Sequence, residues 1–202
     1  MFHQKTDIMK KIILSLLAGT IALTTSAQTN WKVDNSHSNV NFAVMHLVVS
    51  QVEGSFKTYE GKVTSPSADF NDAQIVFSVD VNSVNTDNEM RDKHLKSDDF
   101  FNAEKYPTMS FKSVSFKKID AKNYNLEGDL TIRSVTKRVK FAVTYGGTAA
   151  DGYGNTKAGF QAKGTINRKD YGLLWSKTTE AGGLVVSDEV AISINLELIK
   201  AK

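Results

Sequence analysis

Residues 126–145 read Leu126-Glu127-Gly128-Asp129-Leu130-Thr131-Ile132-Arg133-Ser134-Val135-Thr136-Lys137-Arg138-Val139-Lys140-Phe141-Ala142-Val143-Thr144-Tyr145. Leu126, Gly128, Leu130 and Ile132 alternate with Glu127, Asp129, Thr131 and Arg133. Beyond a polar turn, Val139, Phe141, Val143 and Tyr145 alternate with Lys140, Ala142 and Thr144. A period of two on both sides of a turn predicts an antiparallel pair with one buried face. The same rhythm recurs in both directions along the chain. Val40, Phe42, Val44 and His46 form one run; Val52, Gly54 and Phe56 open another; Ile75, Phe77, Val79 and Val81 make a third. Met109, Phe111 and Ser113 follow, then Ala158, Phe160, Ala162, Gly164 and Ile166, and finally Val190, Ile192, Ile194, Leu196 and Leu198. Eight strands with polar or glycine-containing connections predict an all-β fold, an antiparallel sandwich or closed barrel rather than alternating βαβ units.

One stretch departs from this rhythm. Between Ser83 and Tyr106, the residues Asn88 to Leu95 suit one or two helical turns, and Met90, Leu95, Phe100 and Phe101 are expected to fold back on the barrel as a lid or plug. Gly54, Gly128 and Gly164 fall at inward positions, where a missing side chain either lets the strand bend at a barrel corner or leaves room inside.

The N-terminus is a different kind of text. From Met9, Lys10-Lys11 precede an apolar run from Ile12 to Leu23 and a small-residue boundary, Thr25-Ser26-Ala27. This reads as a secretory signal peptide over residues 1–27, with an N-terminal membrane anchor as the competing reading. Residues 28–202 then form a single domain in a periplasmic or secreted, Gram-negative setting. Lys5, Lys10, Lys11 and Asp7 leave with the leader, so 25 basic and 22 acidic residues become 22 and 21. A near-neutral domain offers no electrostatic footprint for nucleic acid. The chain of 202 residues has no cysteine, which excludes disulfides, thiolate metal sites, iron–sulfur clusters and a cysteine nucleophile.

Few residues suggest chemistry. After the leader three histidines remain, His37, His46 and His94, and none shares a strand or helix with another at a spacing that aims both at one metal. No metal site is expected. His46 ends an apolar face, either as a satisfied core histidine or as a group orienting a ligand. Thr86 to Leu95 is the densest ionisable segment, and Arg91, Asp92 and His94 read either as a salt-bridged, capped loop helix or as an acid–base group. No G-x-S-x-G elbow accompanies them. The run from Thr131 to Lys140 concentrates four cations, read as a solvated turn or as a transient contact with anionic head groups at a membrane surface.

The order of segments resembles the YceI-like family, also called lipid- or polyisoprenoid-binding proteins, over residues 31 to 199. The resemblance rests on Val33-Asp34, Ser36-His37-Ser38 and Val40-Asn41-Phe42 with His46, then Val52-Glu53-Gly54-Ser55-Phe56 with Gly61. Its most specific part runs from Ser83-Val84-Asn85-Thr86 through Arg91-Asp92-Lys93-His94-Leu95-Lys96-Ser97-Asp98-Asp99-Phe100-Phe101 to Tyr106-Pro107 and Ser110-Phe111-Lys112-Ser113. Leu126 to Ile132 and Phe160 through Ile166-Asn167-Arg168-Lys169-Asp170-Tyr171-Gly172 complete it. Two departures, Ser134 where the family favours Gly and Arg138 where it favours Pro, concern one turn. The resemblance implies an eight-stranded, lipocalin-like barrel whose apolar pore holds one isoprenoid or similar long-chain amphiphile, in the periplasm. Such a chain would thread among Phe42, Val44, Phe77, Val79, Phe111, Leu130, Phe141, Phe160 and Ile194, with His46, Arg91, Asp92 and His94 as candidates to hold its head group. The expected function is non-catalytic carriage, storage or sensing, with no cofactor beyond the bound lipid. Two alternatives stand beside it: a hydrolase or isomerase of a hydrophobic substrate using His94 and Asp92, and a ligand-free barrel serving as partner of a membrane redox complex. The residues leave monomer and dimer both open.

Overall fold

The computed structural model describes residues 28–178 and 184–202. The leader reading falls on residues 1–27 and lies outside the described residues. In chain order the elements are β1 (Thr29–Val33), β2 (Asn39–His46), β3 (Ser50–Phe56), β4 (Tyr59–Ser65), β5 (Gln74–Asp80) and β6 (Val84–Asn85). They continue with α1 (Glu89–Lys96), β7 (Thr108–Lys118), β8 (Asn123–Ile132), β9 (Val135–Ala150), β10 (Thr156–Asn167) and β11 (Val186–Lys200).

All strand pairs are antiparallel. The ring β1, β4, β5, β7, β8, β9, β10, β11 closes where β11 returns to β1, with Val33 opposite Leu198. Higher up, β11 pairs with β2, Ile192 opposite Phe42, and β2 pairs in turn with β3, and β3 with β6. Three of the eight staves are therefore broken in the middle: β1 with β2, β3 with β4, and β5 with β6 each occupy one position around the wall. The β1–β11 pairing closes the ring, while higher up β3 meets β6 only at Ser55 and Phe56, and at eight strands the interior is of the size that either fills or holds one small ligand. Register shifts between Ser113 and Ser115 and between Gly159 and Phe160 bend the long staves.

The inward glycines do not leave free space. At Gly54 a Cβ would lie 2.3 Å from the Phe42 ring, at Gly128 2.3 Å from the Phe111 ring and at Gly164 2.6 Å from that of Phe141. Each glycine lets a phenylalanine from the neighbouring strand lie flat across it, so the room they give is taken by aromatic wall.

The lower end carries the connections 66–73, 119–122 and 151–155, closed by rings: Trp31 to Phe70 at 5.1 Å, Phe70 to Phe160 at 5.0 Å, and Phe116 stacked on Tyr124 at 4.8 Å. The upper end carries the β2–β3 tip, α1 and the segments following it, the β8–β9 turn and the described residues of 168–178 and 184–186. α1 is a short helix started by Asn88, whose side chain accepts from the Arg91 N–H.

Between β1 and β2 the chain kinks at Asp34. The Lys157 ammonium reaches Asp34 at 2.5 Å and Glu197 at 2.9 Å, tying the kink to β10 and β11. Hydrogen bonds from Lys157 and then His37 hold the Asp34 carboxyl far below the usual carboxylate range, and those that Lys157 donates to Asp34 and Glu197 raise the pKa of its ammonium. The lowered carboxyl contributes stability that is present above its unfolded value and lost as pH falls through the folded one; the raised lysine contributes stability lost as pH rises. Lys157→Met is expected to lower the urea midpoint at neutral pH and to flatten its fall between about pH 4 and about pH 2. Parallel pH profiles for the two proteins would show that the network contributes nothing.

Candidate functional site: an apolar bore with a polar rim

The barrel encloses a cavity of about 480 Å³, within the range of sites that bury a small-molecule ligand. It runs from Phe70 and Phe116 at the lower end to His46, Trp175, Val185 and Val186 at the upper one. Phe42, Val44, Leu130, Phe160, Ala162 and Ile194 point inward yet are only half-buried. In a closed barrel, the surface they keep is the surface of the bore.

Of the residues expected to contact a ligand, Phe42, Val44, His46, Phe77, Val79, Arg91, His94, Phe111, Leu130, Phe141, Phe160 and Ile194 all line this cavity. Asp92 does not. Its carboxylate accepts from the Thr86 N–H at 2.9 Å and the Thr86 hydroxyl at 2.6 Å and is buried behind Thr86, which lines the bore in its place. One turn of helix separates the faces of neighbouring charges, which a run of ionisable residues does not reveal. Of the lid residues, Leu95, Phe100 and Phe101 face the cavity, whereas Met90 stands 82% exposed.

The polar rim comes from α1. Arg91 donates through Nε to the Thr86 hydroxyl at 2.8 Å and through Nη2 to the Thr86 carbonyl at 2.7 Å; that hydroxyl in turn donates to Asp92, so Thr86 bridges the guanidinium and the carboxylate, which form no direct ion pair. His94 pairs through Nε2 with Asp99 at 2.8 Å, and its ring meets Phe100 and Trp175 edge-on at 5.0 and 5.3 Å. No hydrogen bond or ion pair joins His94 to Asp92; the carboxylate beside His94 is that of Asp99. What the rim offers is a half-buried cation and an imidazole above an apolar shaft. Such a rim can donate hydrogen bonds to an acceptor or anionic group.

Arg168, buried at 4% exposure, escaped sequence reasoning because its partners are main-chain carbonyls. Its Nη1 donates to the Leu173 and Trp175 carbonyls, both at 2.7 Å, its Nε to that of Ser187 at 2.9 Å, and its Nη2 reaches Asp188 at 3.3 Å. It fixes Leu173 and Trp175 over the bore; burial lowers its pKa, and the Asp188 carboxylate opposes this. Leu173, Trp175 and Phe70 lie in connections, where no periodicity marks a side chain as inward. The β8–β9 cations are largely engaged: Arg133 bonds the Phe100 and Gly172 carbonyls and Asp98, Arg138 bonds Asp129 at 2.7 Å, and Lys140 lies 4.0 Å from Glu127. Lys137 is exposed.

Asp34, His37 and Glu197 bring three potential metal-ligand atoms together. The Lys157 ammonium already bridges both carboxylates, so the cluster holds its cation covalently attached.

The profile of the YceI-like domain matches residues 31–198. A UPF0312 protein of Pectobacterium carotovorum is 36% identical over 203 residues, covering 96% of this chain and all of its own. The chain belongs to the YceI-like family. Among solved structures, the YceI protein of Campylobacter jejuni is 35% identical, covers 78% of this chain and 90% of its own, and superposes with a TM-score of 0.66. A polyisoprenoid-binding domain from Saccharophagus degradans shares the fold at 18% identity and a TM-score of 0.60, over 85% of this chain and 98% of its own. As a YceI-like protein, this chain has the eight-stranded barrel that the resemblance implies, the closed one of the two architectures its alternating segments allow.

Proposed function

We propose that this protein binds one long-chain isoprenoid or similar amphiphile in its bore, chain downward and head at the α1 rim, and carries or stores it in the periplasm. The observation that carries the reading is the combination of an open, almost wholly apolar shaft and inward side chains that keep accessible surface inside a closed wall. The description of the Saccharophagus neighbour as polyisoprenoid-binding supports the same ligand class. Each CH₂ moved from water into the shaft contributes roughly 0.8 kcal/mol, so affinity comes from chain length. Arg91 and His94 select direction and head group through charge-assisted hydrogen bonds. Loading from a membrane surface belongs to this reading, and Leu47, Val48 and Val49 stand exposed at the β2–β3 tip beside the opening, where the Leu47 N–H donates to the Val185 carbonyl.

The test is extraction from liposomes containing a polyprenyl phosphate or, separately, the matching bare hydrocarbon. Arg91→Ala with His94→Ala is expected to weaken capture of the phosphate about tenfold, from loss of a charged hydrogen bond, and to leave the hydrocarbon nearly unchanged. Equal losses for both ligands would contradict the head-group assignment, and failure to extract either would contradict loading from a membrane.

A further inference from the structure

The floor of the bore is made by a residue whose backbone is costly to hold. The connection Pro66-Ser67-Ala68-Asp69-Phe70-Asn71-Asp72-Ala73 joins β4 to β5 across the lower end. Phe70 has φ 60°, in the left-handed region that glycine and asparagine favour and that an aromatic side chain rarely adopts. Its ring is 1% exposed, lies 5.1 Å from Trp31, 5.8 Å from Tyr145 and 5.0 Å from Phe160, and lines the cavity. Among the described residues that line it, Phe70 alone comes from a lower-end connection; the others at that depth belong to the staves.

The neighbouring backbone is fastened around this one ring. The Tyr124 hydroxyl donates to the Asp69 carbonyl at 2.6 Å, the Ser65 hydroxyl to the Ser67 carbonyl at 2.6 Å, and the Asp72 N–H to the Phe116 carbonyl at 2.9 Å. The Phe70 N–H donates to the Ser67 carbonyl, and the Phe70 carbonyl accepts from the Ala73 N–H. A strained conformation persists where the surroundings over-determine it, and here they hold an aromatic side chain upward into the end of the shaft.

We propose that Phe70 is the specificity-determining stop of the bore, the residue that sets the longest chain the protein accepts. The inference rests on the binding reading above and adds to it a length limit assigned to one side chain. A chain shorter than the shaft gains affinity with every added isoprene unit. One that reaches Phe70 gains no more, because the next unit must displace a packed ring or leave its head group above the rim.

The test is a titration of linear isoprenoid alcohols of increasing length, from farnesol through geranylgeraniol to longer polyprenols, against the wild type, Phe70→Gly and Phe70→Leu. Glycine suits φ 60° and removes the ring, so the fold is expected to survive, which a urea midpoint checks. In the wild type, affinity climbs and then levels off at one length. In Phe70→Gly the levelling moves to a chain at least one isoprene unit longer, and the first chain too long for the wild type binds about tenfold more tightly. Phe70→Leu moves the break less, and it supplies the same reading if the glycine variant does not fold. The same break point in all folded variants would overturn the proposal. Absence of binding by the wild type at every length would overturn the binding reading instead.

Discussion

Ala162→Trp is expected to lower affinity for a long-chain isoprenoid about a hundredfold while leaving the barrel folded. Ala162 sits on β10 opposite Val143, lines the bore and is only partly buried. An indole in that place occupies volume that the ligand needs, and exclusion of three or four CH₂ groups at roughly 0.8 kcal/mol each removes about 2.4 to 3.2 kcal/mol, on the order of a hundredfold. Ala142, on β9 beside Lys163 and exposed on the outer face, is the matched control: Ala142→Trp adds the same bulk and leaves binding unchanged. Titration with a fluorescent prenol, read beside circular dichroism, separates the two. Equal affinities for wild type and Ala162→Trp would place the ligand outside the bore.

Gly128→Val is expected to cost about 3 kcal/mol and to lower Tm by about 10 °C. A Cβ there meets Cζ of Phe111 at 2.3 Å and the Lys112 carbonyl oxygen at 2.6 Å. The ring can turn aside only into the bore, and the carbonyl belongs to the wall, so both the packing and the β7–β8 ladder give way. Phe111→Leu combined with Gly128→Val recovers part of the loss, because the shorter side chain withdraws one of the two clashes; the carbonyl contact remains. Gly152, around whose Cβ position nothing lies within 4 Å, accepts alanine with little change. Thermal unfolding of these four proteins decides the matter, and a Gly128→Val variant as stable as the wild type would show that the glycine–phenylalanine contacts do not shape the wall.

The eight staves were legible because a period of two survives burial of a single face. β2, β3, β5 and β7 to β11 all carry it. The short companions β1, β4 and β6 were not, since Tyr59 to Ser65 is interrupted by Gly61 and two residues of β6 make no pattern. Those pieces reveal that three staves are broken, and the break at Asp34 is where the lysine-bridged network sits. The wall of the site was equally readable, since inward phase and bore are the same thing in a closed barrel. Its ends were not. Phe70, Leu173, Trp175 and Arg168 owe their places to turn geometry and main-chain hydrogen bonds, which leave no periodic trace. Asp92 shows the converse: its charge stood out in the sequence, yet its carboxylate is spent on Thr86 and does not itself line the shaft.

The most direct test of the central claim is native mass spectrometry of the protein purified from a bacterial periplasm, followed by organic extraction and identification of what is released. The account predicts one long-chain amphiphile per chain, carried by the wild type and absent from Ala162→Trp. A clean mass without adduct, in a protein that also ignores added isoprenoids, would contradict it and make this barrel a surface for protein partners rather than a container.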